Sequence, residues 1–396
     1  MISVKQALSV IKSTVRKIKS EKIDTTNSIG RILASPVKSL IDSPPFDMSS
    51  MDGYAVNKIN KNNYQVIEEI FAGDSNTYKL KKNQAIRVFT GSKVPKGSKY
   101  VIIQEEIKKV SKEDISINNI SVDETYIRKK GQDYKKNSVL LKKNHQITAR
   151  DIGLLISSGI KMVVVYKKPN IAVIATGNEL VAAGDKLNSG QIYASSLYVI
   201  KELIKITASE CKILKIIRDD ELLIKKSMKQ LRNIDLIITT GGVSVGKKDL
   251  IKKSLEDLGM LTKFWKVKIK PGKPLLFGLY DKIPVFGLPG NAVSSYVCFI
   301  IFVLEAIKKM NSLNSKIKKN SIAILDNDLF NKSNREAYYR GVIYIKKNIK
   351  YVKVFSEQDS SLLKTLSSSN CLVKVMAHQK LCKYKKVEVI ELSCGI

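Results

Sequence analysis

The sequence predicts a multidomain α/β plus β chain. A central three-layer α/β domain with a mostly parallel sheet is combined with an inserted β-rich domain and a small C-terminal β barrel. Three observations carry this. With 396 residues the chain is too long for one ordinary core. After Lys167, Lys168 and Pro169 the sequence alternates strand-like and helix-like segments, the pattern of a parallel sheet covered by helices on both faces. Before and after that stretch, short β-like runs are broken by glycine and asparagine turns.

Taken in order, the first residues, MISVKQALSVIKSTVRKIKSEK, have the apolar period of an amphipathic helix and carry lysines throughout. An extended segment follows and ends in the turn signal Ser43, Pro44, Pro45. Residues 43–133 contain runs such as AIRVFTG and YVIIQEE and read as the β-rich insert. Residues 134–166 hold a strand near 139–141, a helix at 148–157 and the strand MVVVY, so they join residues 1–42 as a connector domain. Residues 167–315 give the strands IAVIATG, CKILKIIRD and DLIITTGG. Between and after them lie the helices SSLYVIKELIKI, DELLIKKSMKQLRN and KDLIKKSLEDLG. Further strands are expected at 263–270, 275–279 and 283–287, then a helix over 292–310. Residues 316–396 are short strands and read as a small barrel or sandwich.

Composition narrows the function. No segment reads as a signal peptide, and the apolar run 297–303 is too short to span a bilayer, so a cytoplasmic protein with no membrane partner is expected. The five cysteines are odd in number and widely spaced, which argues for reduced thiols over disulfides or zinc. Only two histidines exist, His145 and His378, both in lysine-rich surroundings. Acid–base work would fall to carboxylates, hydroxyls and lysines, and a metal should be a hard cation such as magnesium. The net charge of +33 is spread over nearly every segment, and no aromatic-interleaved basic motif is present, so no nucleic-acid partner is expected.

Three loops fall where strands end, the place open parallel sheets put their ligands: ATGNELV (175–181), TTGGVSVGKKD (239–249) and GLPGNAVSS (287–295). In the second, Gly241, Gly242 and Gly246 let backbone approach an anion, Ser244 adds a hydroxyl, and Asp249 an acid suited to a divalent cation; a tight βα turn without ligand is the alternative. In the third, Asn291 suits an N-cap, with Ser294 and Ser295 in the first turn and free backbone N–H groups facing an anion. Between these loops, KVKIKPGKP places Lys266, Lys268 and Lys270 on one strand face by alternation, with Lys273 in the turn. Such like charges repel unless an anion sits among them or the face is solvated. In PPFDMSSMDGYAV, Asp47 and Asp52 lie in a hydroxyl-rich loop that turn chemistry alone also explains.

The segments PPFDMSSMDGYAV, RVFTGSKVPKGSKYVIIQEE, GQD, ATGNEL, TTGGVSVGKKD, KIKPGKP, GLPGN and NREAYYRG run in an order and spacing that resembles the molybdopterin molybdenumtransferase family, which includes bacterial MoeA and the E domain of gephyrin. The resemblance covers nearly the whole chain and implies a Mog-like α/β domain. It implies insertion of molybdenum from molybdate into adenylylated molybdopterin, with release of AMP and a magnesium ion. Carried over by motif, Asp52 and Thr90 would form the far wall of the cleft, with Asp52 and Asp133 as polar or acid–base groups. Glu179, Asp219 and Asp249 would orient metal and pyrophosphate. Gly241, Gly242, Ser244, Gly246, Pro289, Gly290, Asn291 and Ser294 would line the phosphate and nucleotide pocket, while Lys266, Lys270 and Lys273 would hold molybdate or the pterin phosphate. The resemblance also implies a homodimer, with the β-rich insert of one chain facing the α/β domain of the other, and contact with a molybdopterin adenylyltransferase.

Departures from the family pattern are Asn178 in place of an acid, Ala292 in place of proline, Ala194, Ser195 and Ser196 in place of a polar D-x-N, and no glycine after Gln358. Two other readings keep the fold: a non-catalytic scaffold, and a molybdopterin adenylyltransferase. The second lacks counterparts for the insert and the barrel.

Overall fold

The structure, a computed structural model, describes residues 1–59, 63–111, 113–117, 124–242, 250–312 and 318–392. The chain starts with α1 (Val4–Thr14), whose first turn is closed by a capping box between Ser3 and Gln6. Its Val4, Ala7 and Ile11 stripe is buried against the α/β domain rather than the connector. Burying Val4 and Ile11 contributes about 3–6 kcal/mol. In the connector, strand Ser20–Asp24 pairs antiparallel with Met162–Tyr166, and Val37–Lys38 with Val139–Leu141. Helix α2 (Ala149–Ser157) starts on a capping box of Thr148 and Asp151, and Asp151 also bonds His145 Nε2 at 2.8 Å.

The insert is built on a six-stranded sheet. In spatial order its strands are Tyr100–Ile103, Gly53–Val56, Gln84–Val88, Tyr64–Ile70, Asp114–Ile117 and Ile107–Lys109. Side chains alternate between two small cores, one around Ala55, Ile86 and Val88 and the other around Tyr54, Val56 and Tyr64. Neither core shares a residue with the α/β domain, so the insert is packed as its own unit.

The α/β domain is organised by β1 (Asn170–Thr176), β2 (Glu210–Ile217), β3 (Leu236–Thr240), β4 (Leu261–Trp265), β5 (Leu276–Tyr280) and β6 (Ile283–Leu288), in the spatial order β2-β1-β3-β6-β5-β4. The first four in that order run parallel; β5 is antiparallel to both β6 and β4. Strand β1 is buried on both faces, which is why it reads as an unbroken apolar run. Its Ala172 and Ile174 pack toward α4 (Glu221–Lys229) and α5 (Leu250–Asp257), while Ile171, Val173 and Ala175 pack toward α3 (Ser195–Lys205) and the domain's last helix. That last helix runs as α6 (Ala292–Cys298), a π-helical turn at Phe299–Val303 and α7 (Leu304–Asn311).

The C-terminal strands Glu336–Lys346, Ile349–Val354, Lys318–Leu325, Lys386–Leu392 and Cys371–Val375 pair in that order and close on themselves, giving a five-stranded barrel. Arg340 is buried inside its wall at 2 % exposure; its guanidinium donates to the carbonyls of Leu362 and Asp359.

The lysine segment after β4 differs from the continuous strand expected over 263–270. Strand β4 ends at Trp265, Lys266 takes a left-handed φ of 68°, and Val267 forms a bridge with Ile2. Ile269–Lys270 then joins the barrel, pairing parallel with Glu336 and Ala337. Lys266, Lys268 and Lys270 therefore do not share one strand face. Pairing with two distant segments breaks the alternation that the local sequence implies.

Candidate functional site

The chain leaves β1 toward β2 on one side and returns past it to β3 on the other, so a crevice opens at the C-terminal ends of β1 and β3. Register fixes what meets there. Trp265 pairs with Leu276, Leu276 with Gly287, Gly287 with Thr239, and Thr239 with Ile174. Just beyond that row the chain leaves the sheet at Thr176, Gly241, Pro289 and Lys266, so all four stand at one sheet edge.

The backbones at this edge are in close contact. A Cβ on Gly241, whose φ is 86°, would lie 2.4 Å from the Thr176 carbonyl oxygen, and one on Gly242 would lie 2.9 Å from Thr176 Oγ1. A Cβ on Gly290 would meet Gly241 Cα at 3.5 Å. Among the described residues, the buried Thr176 hydroxyl has no hydrogen-bond partner, and the same holds for Thr239. Sequence reading passed over both, because a threonine ending an apolar strand is explained by β propensity alone. A buried hydroxyl left unpaired costs about 1–3 kcal/mol.

The third loop is arranged differently from expectation. Asn291 caps α6 as its sequence suggests, but its side chain accepts from the N–H groups of both Val293 and Ser294, at 3.1 and 3.4 Å. Ser295 N–H donates to the Asn291 carbonyl, and the Ser295 hydroxyl to that of Pro289. The amides expected to be open to an anion are thus already occupied. Residues 243–249, with Ser244, Gly246 and Asp249, lie outside the described residues.

On the acidic side, Glu179 is exposed and folds over Gly177, with its carboxylate oxygens 2.6 and 2.7 Å from the position a Cβ there would take. Asn178 Oδ1 accepts the Asp219 N–H at 3.1 Å, tying the loop after β1 to the loop after β2. Glu179 and Asp219 therefore lie on adjoining loops. Among the described residues no three His, Cys, Asp or Glu side chains form a metal-binding group. The oxygen-only character of these loops nonetheless fits a hard cation.

Of the lysines expected at the site, Lys266, Lys270 and Lys273, none pairs with a carboxylate among the described residues. Lys266 Nζ stands 3.9 Å from the Trp265 ring centroid. Lys270 is half-buried and Lys273 exposed.

The remaining candidates are on the insert and its base. Asp52 Oδ1 accepts both the Thr90 N–H at 2.7 Å and the Thr90 hydroxyl at 2.8 Å. These two bonds, led by the backbone one and helped by Arg87, hold the Asp52 carboxyl below its usual range. Asp133 is exposed at the base of the insert, where its N–H donates to the Ser43 carbonyl. Asp47 acts as a turn anchor: it accepts from the Lys130 N–H and pairs with the Lys129 ammonium at 3.0 Å.

The fold thus defines an α/β domain with a crevice at its switch point, carried between a β-rich insert and a barrel. Three family models match successive parts of the chain. They are the MoeA N-terminal region (domain I and II) over residues 2–159, a probable molybdopterin binding domain over 172–309, and the MoeA C-terminal region (domain IV) over 323–392. The molybdopterin molybdenumtransferase of Haemophilus influenzae is 33% identical over 380 residues, covering 94% of each chain. That of a Nostoc species is 31% identical over 390 residues, covering 94% of this chain and 89% of its own. The solved structure of the molybdopterin biosynthesis MoeA protein from Pyrococcus horikoshii superposes with a TM-score of 0.85 at 27% identity, covering 99% of both chains. The chain belongs to the molybdopterin molybdenumtransferase family.

Proposed function

We propose that this chain inserts molybdenum, supplied as molybdate, into the dithiolene of adenylylated molybdopterin. Two Mo–S bonds form as a molybdate oxygen leaves as water with the two dithiol protons, and a water added across the pyrophosphate link releases AMP, leaving the pterin with its own phosphate. The observation that best supports this is that close glycine backbone, a buried hydroxyl without a partner among the described residues, and Lys266, which no described carboxylate neutralises, all stand at the C-terminal end of one sheet. That combination suits a substrate with several negative oxygens.

In this reading Gly241, Gly242, Pro289 and Gly290 bring backbone against the pyrophosphate and nucleotide, together with Ser244, Gly246, Asn291 and Ser294. Lys266, Lys270 and Lys273 attract molybdate or the pterin phosphate. Magnesium would be held by Glu179 and Asp219 with Asp249, and when bound it neutralises the pyrophosphate charge. Asp52, kept ionised by Thr90, acts as a polar wall group with Asp133. Because the insert has its own cores, a homodimer that sets one chain's insert against the other's α/β domain would complete the cleft. A molybdopterin adenylyltransferase would deliver the substrate in the cytoplasm; among the described residues no helix is long and apolar enough to cross a membrane.

The test is AMP release from adenylylated molybdopterin by the purified protein, with and without molybdate and magnesium. Release that requires molybdate supports insertion. A scaffold reading gains from one observation: Ala194, at the N-cap of α3, gives no side-chain hydrogen bond where the family pattern has a polar residue. Substrate that binds but stays intact under every condition would favour that second reading.

A further inference from the structure

Lys266 is held in an unusual way. Its φ of 68° is costly for a residue with a Cβ, yet both of its backbone groups are pinned: its N–H donates to Leu275 at 2.9 Å, and its carbonyl accepts from Ile2 at 3.2 Å. The side chain turns back over the preceding residue, with Nζ 3.9 Å from the Trp265 ring centroid. The ring is fixed in turn. Trp265 pairs with Leu276 in the sheet and packs against the core beneath α5. A second ammonium, that of Lys252, lies 5.3 Å from the same ring but is neutralised by Glu256 at 2.8 Å.

Lys266 has no such carboxylate among the described residues. A carboxylate would hold the ammonium in place but cancel its charge. An indole face holds it by its quadrupole and leaves both the charge and the outward N–H donors for an incoming anion.

We propose that Trp265 is a positioning residue for Lys266: its indole face fixes the ammonium at the crevice edge, uncancelled and already oriented toward the oxyanion. The inference rests on the proposed binding of molybdate or phosphate by Lys266, and goes beyond it by naming what prepares that lysine. Trp265 itself touches no reacting atom.

The test is steady-state AMP release with molybdate varied, for the wild type, Trp265→Leu, Trp265→Phe, Lys266→Gln and the double variant Trp265→Leu/Lys266→Gln. Since a cation–π contact of this kind amounts to roughly 0.5–2 kcal/mol, Trp265→Leu should raise the KM for molybdate about 3- to 30-fold, with kcat within about twofold. Trp265→Phe keeps an aromatic face and should recover most of the loss; it also serves if the leucine variant does not fold. In the Lys266→Gln background, removing the ring should have no further effect on KM, a coupling that a purely structural role would not produce. If Lys266→Gln raises KM but Trp265→Leu and Trp265→Phe leave it unchanged, the positioning role is wrong while the anion site stands. If Trp265→Leu lowers KM, the ring restrains the lysine away from the anion, and the proposal is overturned. If Lys266→Gln itself leaves KM unchanged, the anion reading of Lys266 fails, and this inference with it.

Discussion

Two glycines of the same crevice should respond very unequally to one added methyl group. At Gly241 an alanine must hold a φ of 86° and place its Cβ 2.4 Å from the Thr176 carbonyl oxygen, a backbone atom at the end of β1. The left-handed conformation costs about 1–2 kcal/mol. The overlap, which no rotamer change relieves, adds about 1–3 kcal/mol. Gly241→Ala should therefore destabilise the α/β domain by about 2–5 kcal/mol, a drop in Tm of about 5–15 °C for a domain of this size. Gly290 has no such φ, and its added Cβ meets Gly241 Cα at an ordinary 3.5 Å, so Gly290→Ala should stay within about 1 kcal/mol of wild type. The chain has a single tryptophan, Trp265, and it lies in this sheet, so thermal melts followed by its fluorescence report this domain and not the insert or barrel. A Gly241→Ala protein melting within 2 °C of wild type, on the order of the ~2–4 °C that one kcal/mol moves such a domain, would refute the steric argument. So would a Gly290→Ala protein that falls as far.

Other expectations follow from the same geometry. Thr90→Val removes one of the two bonds that keep the Asp52 carboxyl depressed, so its pKa, followed by carbon NMR, should rise toward the ordinary carboxylate value. Because the folded pKa is lowered, any stability Asp52 contributes is present above the unfolded carboxylate pKa and lost as pH falls through the folded one; Thr90→Val should narrow that acid window. Glu179→Gln and Asp219→Asn should each raise the magnesium concentration for half-maximal AMP release by roughly tenfold or more, as losing even an outer-shell partner does; an unchanged requirement would exclude both as ligands. Asn178→Asp should lower that requirement by adding charge beside Asp219 while its side chain still accepts the same N–H. Arg340→Met should cost about 2–4 kcal/mol in urea unfolding, since it removes the charged donor to Gln358 Oε1 and to the carbonyls of Leu362 and Asp359, each of which keeps only a backbone N–H.

Much of this was legible before any coordinates. The α/β domain announces itself because β1 and β3 are apolar on both faces and are followed by glycine loops, so the place where Thr176, Gly241 and Gly290 meet follows from strand ends alone. What sequence missed was set by long-range contacts. Nothing near Lys266 says that Ile2 bridges Val267 or that Glu336 pairs with Ile269, and those two contacts break the expected strand. Asn291 was read correctly as a cap, but one side-chain oxygen serving both Val293 and Ser294 is a matter of rotamer. The hydroxyl of Thr176 was invisible because its significance lies in having no partner among the described residues.

The seam at residues 267–270 also bears on how the molecule is made. On one side it is tied to Ile2, on the other to Glu336 and Ala337, with Arg335 Nη1 bonding the Ile269 carbonyl at 3.2 Å. The central sheet can form as soon as its own strands have been synthesised, but the lysine segment stays untied on one side until the barrel strand emerges from the ribosome. A chain stopped before that point would keep the central sheet but lack Tyr338, Leu372, Ile390 and Leu392 from its core, and on the proposed function its anion site would be unfinished. On the proposed function, binding competence would therefore arrive only with the barrel, and molybdate affinity would grade a nascent chain more strictly than any measure of compactness.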